Sequence, residues 1–118
     1  MLHITISTNL FVPKRFKAYT VGFVILVKPE FRNNKGLMAH ERVHVAQFWR
    51  NPLMGWFYRF SAKYRYQYEL EAHQVQYQCN PESAVFLANN LTDNYNLDIT
   101  FQQAYSDITG TEFTSDDA

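Results

Sequence analysis

His40-Glu41-Arg42-Val43-His44 is the stretch of this 118-residue chain whose residue types and spacing carry chemistry. It is an H-E-x-x-H sequence. At about 100° per residue, His40 and His44 lie only about 40° apart around a helix, so both imidazoles leave one face, one turn apart. That spacing lets two neutral ring nitrogens bind one zinc ion at about 2.0–2.1 Å. Glu41, roughly 100° round from His40, is too far to share the coordination but close enough to reach a water on the ion. Zinc lowers the pKa of such a water toward about 7, and a carboxylate beside it can take its proton as the oxygen attacks a carbonyl. Given the chain's four histidines and six glutamates, roughly 0.007 chance occurrences of the pattern are expected. The competing reading is two helix-surface histidines in ordinary hydrogen bonds.

A zinc site of this kind needs a third protein ligand and an open position. Downstream, Tyr68-Glu69-Leu70-Glu71-Ala72-His73 offers two carboxylates in a helical context. Together the two segments resemble the gluzincin metallopeptidases, in which H-E-x-x-H is followed on a later helix by E-x-x-A-D or E-x-x-x-D. The run from His40 to Gln47 is also similar to the H-E-x-x-H-x-x-Q of small, minigluzincin-like bacterial and phage proteins. The resemblance spans roughly residues 20–78. It implies a zinc metallopeptidase with His40, His44 and Glu69 as ligands, Glu41 as general base and Ala72 as the small residue beside the third ligand. It further implies a peptide or protein substrate extended along the edge strand before the metal helix, here Tyr19–Lys28.

His73 stands where that family has Asp, the carboxylate that commonly orients a zinc-bound imidazole. It is read either as a neutral hydrogen-bonding substitute or, being on Glu69's face, as a ligand itself. Glu71 is the competing third ligand. It lies about 200° from Glu69 around a helix, so only one of the two can face the metal. We take Glu69, which leaves Glu71 solvated or paired with Arg65 or Lys63.

The elements that must position these groups follow from the apolar pattern. Leu2–Thr8 alternates as a half-buried strand does, Asn9–Lys17 reads as a loop, and Tyr19–Lys28 reads as a second, more buried strand. Leu37–Arg50 is a helix, apolar on nearly every side and therefore expected to be largely buried, with Asn33-Asn34-Lys35-Gly36 as turn and cap. Asn51-Pro52 ends it. Leu53–Gln78 stays helical in character, Pro81 starts a shorter helix to about Asn89, and Ile99–Ile108 forms a last one. Strands first and helices after give an α+β fold, a short sheet of two or three strands followed by a mostly helical, zincin-like half. One domain covers residues 1–110, and residues 111–118 form a polar, acidic tail.

The distance between the motifs constrains the helices further. His44 to the Asn51-Pro52 turn is roughly 10 Å of helix, and Pro52 to Glu69 roughly 25 Å. A straight hairpin would carry Glu69 about 15 Å past the histidines. Zinc binding by Glu69 therefore requires a break, expected at Phe60–Tyr64, where Ser61 can cap a new helix. A short aromatic helix from Leu53 to about Phe60 and a ligand helix from about Lys63 to Gln78 result.

Composition limits the remaining options. The chain is 47% hydrophobic and 19% charged, as a globular domain is. One cysteine, Cys79, excludes an internal disulfide and a thiolate zinc site. The longest clean apolar run, Val21–Val27, is too short to span a membrane, and the start lacks a signal-peptide pattern, so the reading is a cytoplasmic protein. Net charge is zero, yet residues 1–66 carry +9 and residues 67–118 carry −9. We read the split as an acidic half folding back over a basic one, with Asp107, Glu112, Asp116 and Asp117 lying across it and partly covering the cleft. The aromatic band from Phe48 to Tyr68 is expected to be mainly core, with a substrate-facing or membrane-surface role as the alternative. Besides the peptidase, two readings stand: an inactive zinc-binding interaction module, and a nucleic-acid-binding protein using the basic half. No cofactor other than Zn2+ is implied, and the sequence leaves the oligomeric state undetermined.

Overall fold

The computed structural model describes residues 2–114. Among these are three strands, β1 (Ile4–Ser7), β2 (Ala18–Val21) and β3 (Val24–Val27), then five α-helices. The helices are α1 (Lys35–Arg50), α2 (Met54–Phe60), α3 (Ala62–Cys79), α4 (Ala84–Asp93) and α5 (Phe101–Thr109). The fold is α+β. No helix among the described residues is long and apolar enough to cross a membrane.

The expected single strand Tyr19–Lys28 is a hairpin. Val21 pairs with Val24 across a two-residue turn, and Gly22 takes φ +60° there, a conformation that glycine adopts without strain. Gly22, set inside a segment rich in β-branched and aromatic residues, is the turn signal that the single-strand reading passed over. The strand order is β1-β3-β2, with β1 parallel and β2 antiparallel to β3, so β2 is an edge strand. Ile25 and Val27 of β3 pack with Ala18, Met38 and Val45 to form the core between sheet and α1. β1 presents the opposite face from the one its pattern implies: Ile4 and Ile6 are exposed, while Thr5 and Ser7 lie on the side that α1 covers. Among the described residues the sheet has a helix on one face only, and that face is set by Ile25 and Val27 of β3.

Asn34 caps α1, its Oδ1 accepting the Leu37 N–H at 3.0 Å. α1 is buried on one side, not all round, with Arg42, Trp49 and Arg50 in solvent. The expected break after α2 is present. Ser61 has extended backbone, accepts the Tyr64 N–H through its side chain and starts α3 directly after α2 ends. Pro81–Ser83 is a 3-10 turn leading into α4, which runs beyond Asn89 to Asp93. α4 and α5 form a second core around Leu87, Leu91, Ala104 and Ile108, with Leu70 and Tyr66 of α3 against it. α1 and α3 pack together between the two cores, and the chemistry lies at their contact.

The basic and acidic halves do fold together, but they neutralise one another little by direct pairing. Arg50–Glu71 is the one Lys/Arg–carboxylate ion pair among the described residues. Asp107 does not cross the cleft. It accepts from the Tyr66 hydroxyl and from Gln103 on the far side of α3. Asp116 and Asp117 lie outside the described residues.

Candidate metal centre

α1 turns His40, Glu41, His44 and Gln47 toward α3. Gln47, 1% exposed, donates from Nε2 to the Tyr68 carbonyl at 2.9 Å and to Glu71 Oε1 at 2.8 Å. Its Oε1 therefore faces His44, 2.8 Å from Nδ1. That nitrogen must carry a proton, which leaves Nε2 as the ring's coordinating position. His44 Nε2 lies 3.2 Å from the Glu69 carboxylate, and His40 Nε2 lies 3.3 Å from Glu69 Oε1. The other nitrogen of His40, Nδ1, is buried without a partner, so this ring too makes its polar contacts through Nε2.

α3 supplies Glu69, which is buried, and the break at Ser61 is what brings it level with the histidines. The Tyr58 hydroxyl on α2 donates to Glu69 Oε2 at 2.6 Å. Glu71 points the other way. Its partner is Arg50, at 2.5 Å, and not Arg65 or Lys63 as the sequence led us to expect. Through Gln47 it nevertheless holds the amide that orients His44. Arg65 instead donates to the carbonyls of Tyr58, Arg59, Tyr95 and Asn96, tying the end of α2 to the loop after α4.

His73 is completely buried. Nδ1 donates to the Glu69 carbonyl at 2.6 Å, and Nε2 accepts from Asn90 Nδ2 at 3.0 Å. One ligand atom from each of His40, Glu69 and His73 lies within 4.8 Å of the others, a buried group that could hold a metal ion. Yet His73 spends Nδ1 on the Glu69 backbone carbonyl and Nε2 on Asn90, whereas His44 directs Nε2 at the Glu69 carboxylate itself. We therefore favour His40, His44 and Glu69 as the ligand set, with His73 supporting the backbone at Glu69.

Burial lowers the pKa of His73 to about 3, helped by neighbouring His40, so the ring is neutral. Burial alone would lower that of His44 as well, but the Glu69 carboxylate reverses this and holds it at about 9. Burial likewise opposes ionisation of Glu69, and the facing His44 and His40 override it, holding the carboxyl well below its usual range. Two imidazole nitrogens thus converge on one ionised, buried carboxylate. These residues fit a divalent cation that prefers mixed nitrogen and oxygen ligands, Zn2+ among them.

Glu41 lies beside this group, 5% exposed. Its Oε1 accepts from the Thr20 hydroxyl of β2 at 2.9 Å, and its Oε2 lies 3.8 Å from His40 Nε2. All of this opens into a cleft of about 560 Å³ bordered by β2, α2 and the loop after α4. Tyr95, on that loop, has its phenol pushed up by burial and by the Glu69 and Glu41 carboxylates, so it stays a neutral donor. Sequence reasoning missed Tyr95, Asn90 and Thr20. They are distant in the chain and belong to no motif, so only the fold brings them here. Gln47 was part of a recognised pattern, but its role was not readable from it.

The chain matches no protein-family model, no curated protein and no solved structure.

Proposed function

We propose that the protein is a zinc-dependent metallopeptidase, in which His40, His44 and Glu69 hold the ion and Glu41 is the general base. The observation that carries this reading is the convergence of His40 Nε2 and His44 Nε2 on the Glu69 carboxylate, with Glu41 alongside and a cleft above. The likeness of the two motifs to gluzincins supports it. Zinc at this position would supply Lewis acidity, activating a water and polarising a carbonyl.

The chain's own residues then divide the work. Glu41 Oε1 is held by Thr20, which leaves Oε2 to accept a proton and pass it to the leaving amine. Tyr58 fixes the rotation of Glu69, and Gln47 fixes that of His44. Tyr95, neutral and lining the cleft, can donate to negative charge growing on the carbonyl oxygen. The substrate would lie along β2, which lines the cleft from Ala18 to Val21. In the antiparallel ladder the Lys28 N–H donates to the Lys17 carbonyl. By alternation the backbone groups of Ala18 and Thr20 point outward, free to pair with an extended peptide.

Purified without chelator, the protein should carry close to one zinc per chain by elemental analysis and hydrolyse peptides. Glu41→Gln should keep the zinc and abolish turnover. Metal-free protein under these conditions overturns the reading. Zinc with no hydrolysis of any peptide tried makes the chain a zinc-binding interaction module instead.

A further inference from the structure

α2 presents its apolar residues to solvent. At about 100° per residue, Leu53, Trp56, Phe57 and Phe60 fall within an arc about 100° wide. They are 61%, 67%, 39% and 70% exposed, and no residue of α2 is buried. The expectation that this part of the aromatic band is core therefore fails. The other side of α2, with Met54 and Tyr58, forms the cleft wall. On the outer side the Tyr64 ring of α3 lies 5.0 Å from that of Phe57, while Leu53, Trp56 and Phe60 stay largely open. A contiguous exposed apolar face of this kind marks an interaction surface.

The charges around this face are of one sign. Arg59 and Lys63 are exposed beside it, and residues 42–68 contain no Asp or Glu. Arg59 stands 5.6 Å over the Phe60 ring, and the Phe60 and Trp56 rings lie 5.6 Å apart, so cation and aromatics form one patch. We infer that this face of α2 seats the protein on an anionic lipid surface, with Trp56 and Phe60 entering the headgroup region and Arg59 and Lys63 meeting lipid phosphates. Aromatic residues beside cations, on a helix of only seven residues, suit a helix that lies in the interface and does not span it. A second copy of the chain suits the patch poorly. Two-fold pairing through this face would set Arg59 and Lys63 near their own counterparts, with no carboxylate in the segment to answer them. Seating α2 in this way brings the cleft rim to the membrane, and the inference does not depend on the metal reading.

The test is flotation of the full chain with vesicles of phosphatidylcholine alone or mixed with phosphatidylglycerol. Binding to the mixed vesicles only, weakened by salt, is expected. In Trp49→Phe protein, which keeps Trp56 as its sole tryptophan, emission should shift to shorter wavelength on binding. Lys63→Gln should weaken binding about fivefold, the equivalent of roughly 1 kcal/mol per basic residue at an anionic surface. Trp56→Ala/Phe60→Ala should weaken it by about tenfold or more. Both rings are exposed, so the fold should survive, as circular dichroism will check. Folded protein that ignores anionic vesicles overturns the inference. So does vesicle binding that the double substitution leaves unchanged, or a dimer in solution that the double substitution dissolves while vesicles are not bound.

Discussion

Glu69 is the residue on which the site closes, since both histidines and Tyr58 direct polar atoms at its two oxygens. Its neighbour Glu71 acts at one remove, through Gln47. Removing that amide in Gln47→Ala leaves the His44 Nδ1–H without its acceptor, and partners of this type typically change metal affinity by 10- to 100-fold. A loss in that range, measured by competition with a zinc chelator, is expected, while Arg50–Glu71 stays paired. Thr20 plays the corresponding part for Glu41. Thr20→Val keeps the side chain's shape but removes the hydroxyl that holds Oε1. If the proposed peptidase reading holds, zinc content should be unchanged and kcat should fall on the order of tenfold or more, because Glu41 as the base would lose its orientation. An equal fall in zinc content would assign Thr20 a structural role instead.

At the scale of elements, the break between α2 and α3 brings α3 back alongside α1, and the turn of α3 about its own axis then faces Glu69 to the histidines and Glu71 to Arg50. Ser61 accepts the Tyr64 N–H, satisfying one of the donors that a helix start leaves unpaired. Ser61→Ala should cost about 1 kcal/mol in thermal or denaturant unfolding, and Ser61→Asp should keep most of that stability. Because α3 carries Glu69, the alanine variant should also bind zinc less tightly. Arg65 supports the same junction by donating to the Tyr58 and Arg59 carbonyls at the end of α2. β2 contributes differently. As an edge strand it keeps unpaired backbone groups on the cleft side and sends Thr20 under α1 to reach Glu41.

Across the whole molecule, the candidate metal centre joins two cores. α1 belongs to the core it shares with the sheet, and α3 packs on the α4–α5 core. A ligand set drawn from both helices would make metal binding a clamp between the two cores. A metal that binds only the folded chain stabilises it by roughly 4 kcal/mol at a thousandfold excess over its Kd. Zinc should therefore raise the melting temperature of chelator-treated protein by several degrees. His44→Ala should abolish the increment without unfolding the chain, since His44 lies outside both cores. The +9/−9 division between the halves adds little direct pairing to this clamp.

The sequence by itself determined the α+β order, α1 with its cap, and the common face of His40 and His44, because these depend on helical periodicity and local turn chemistry. The break at Ser61 was legible only through the reading of Glu69 as a ligand, since rise per residue keeps an unbroken helix from returning Glu69 to the histidines, and the structure has that break. The hairpin at Gly22 escaped, because one glycine inside a β-rich segment marks a bulge as readily as a turn, and only the pairing of Val21 with Val24 tells them apart. The exposed face of β1 escaped too: alternation shows that two faces differ but not which one a helix will cover. Tertiary structure alone decided that Glu71 pairs with Arg50, that both nitrogens of His73 are occupied, and that Thr20, Asn90 and Tyr95 reach the site. Such contacts join residues far apart in the chain, and no local pattern encodes which side chains meet when two cores close on one another.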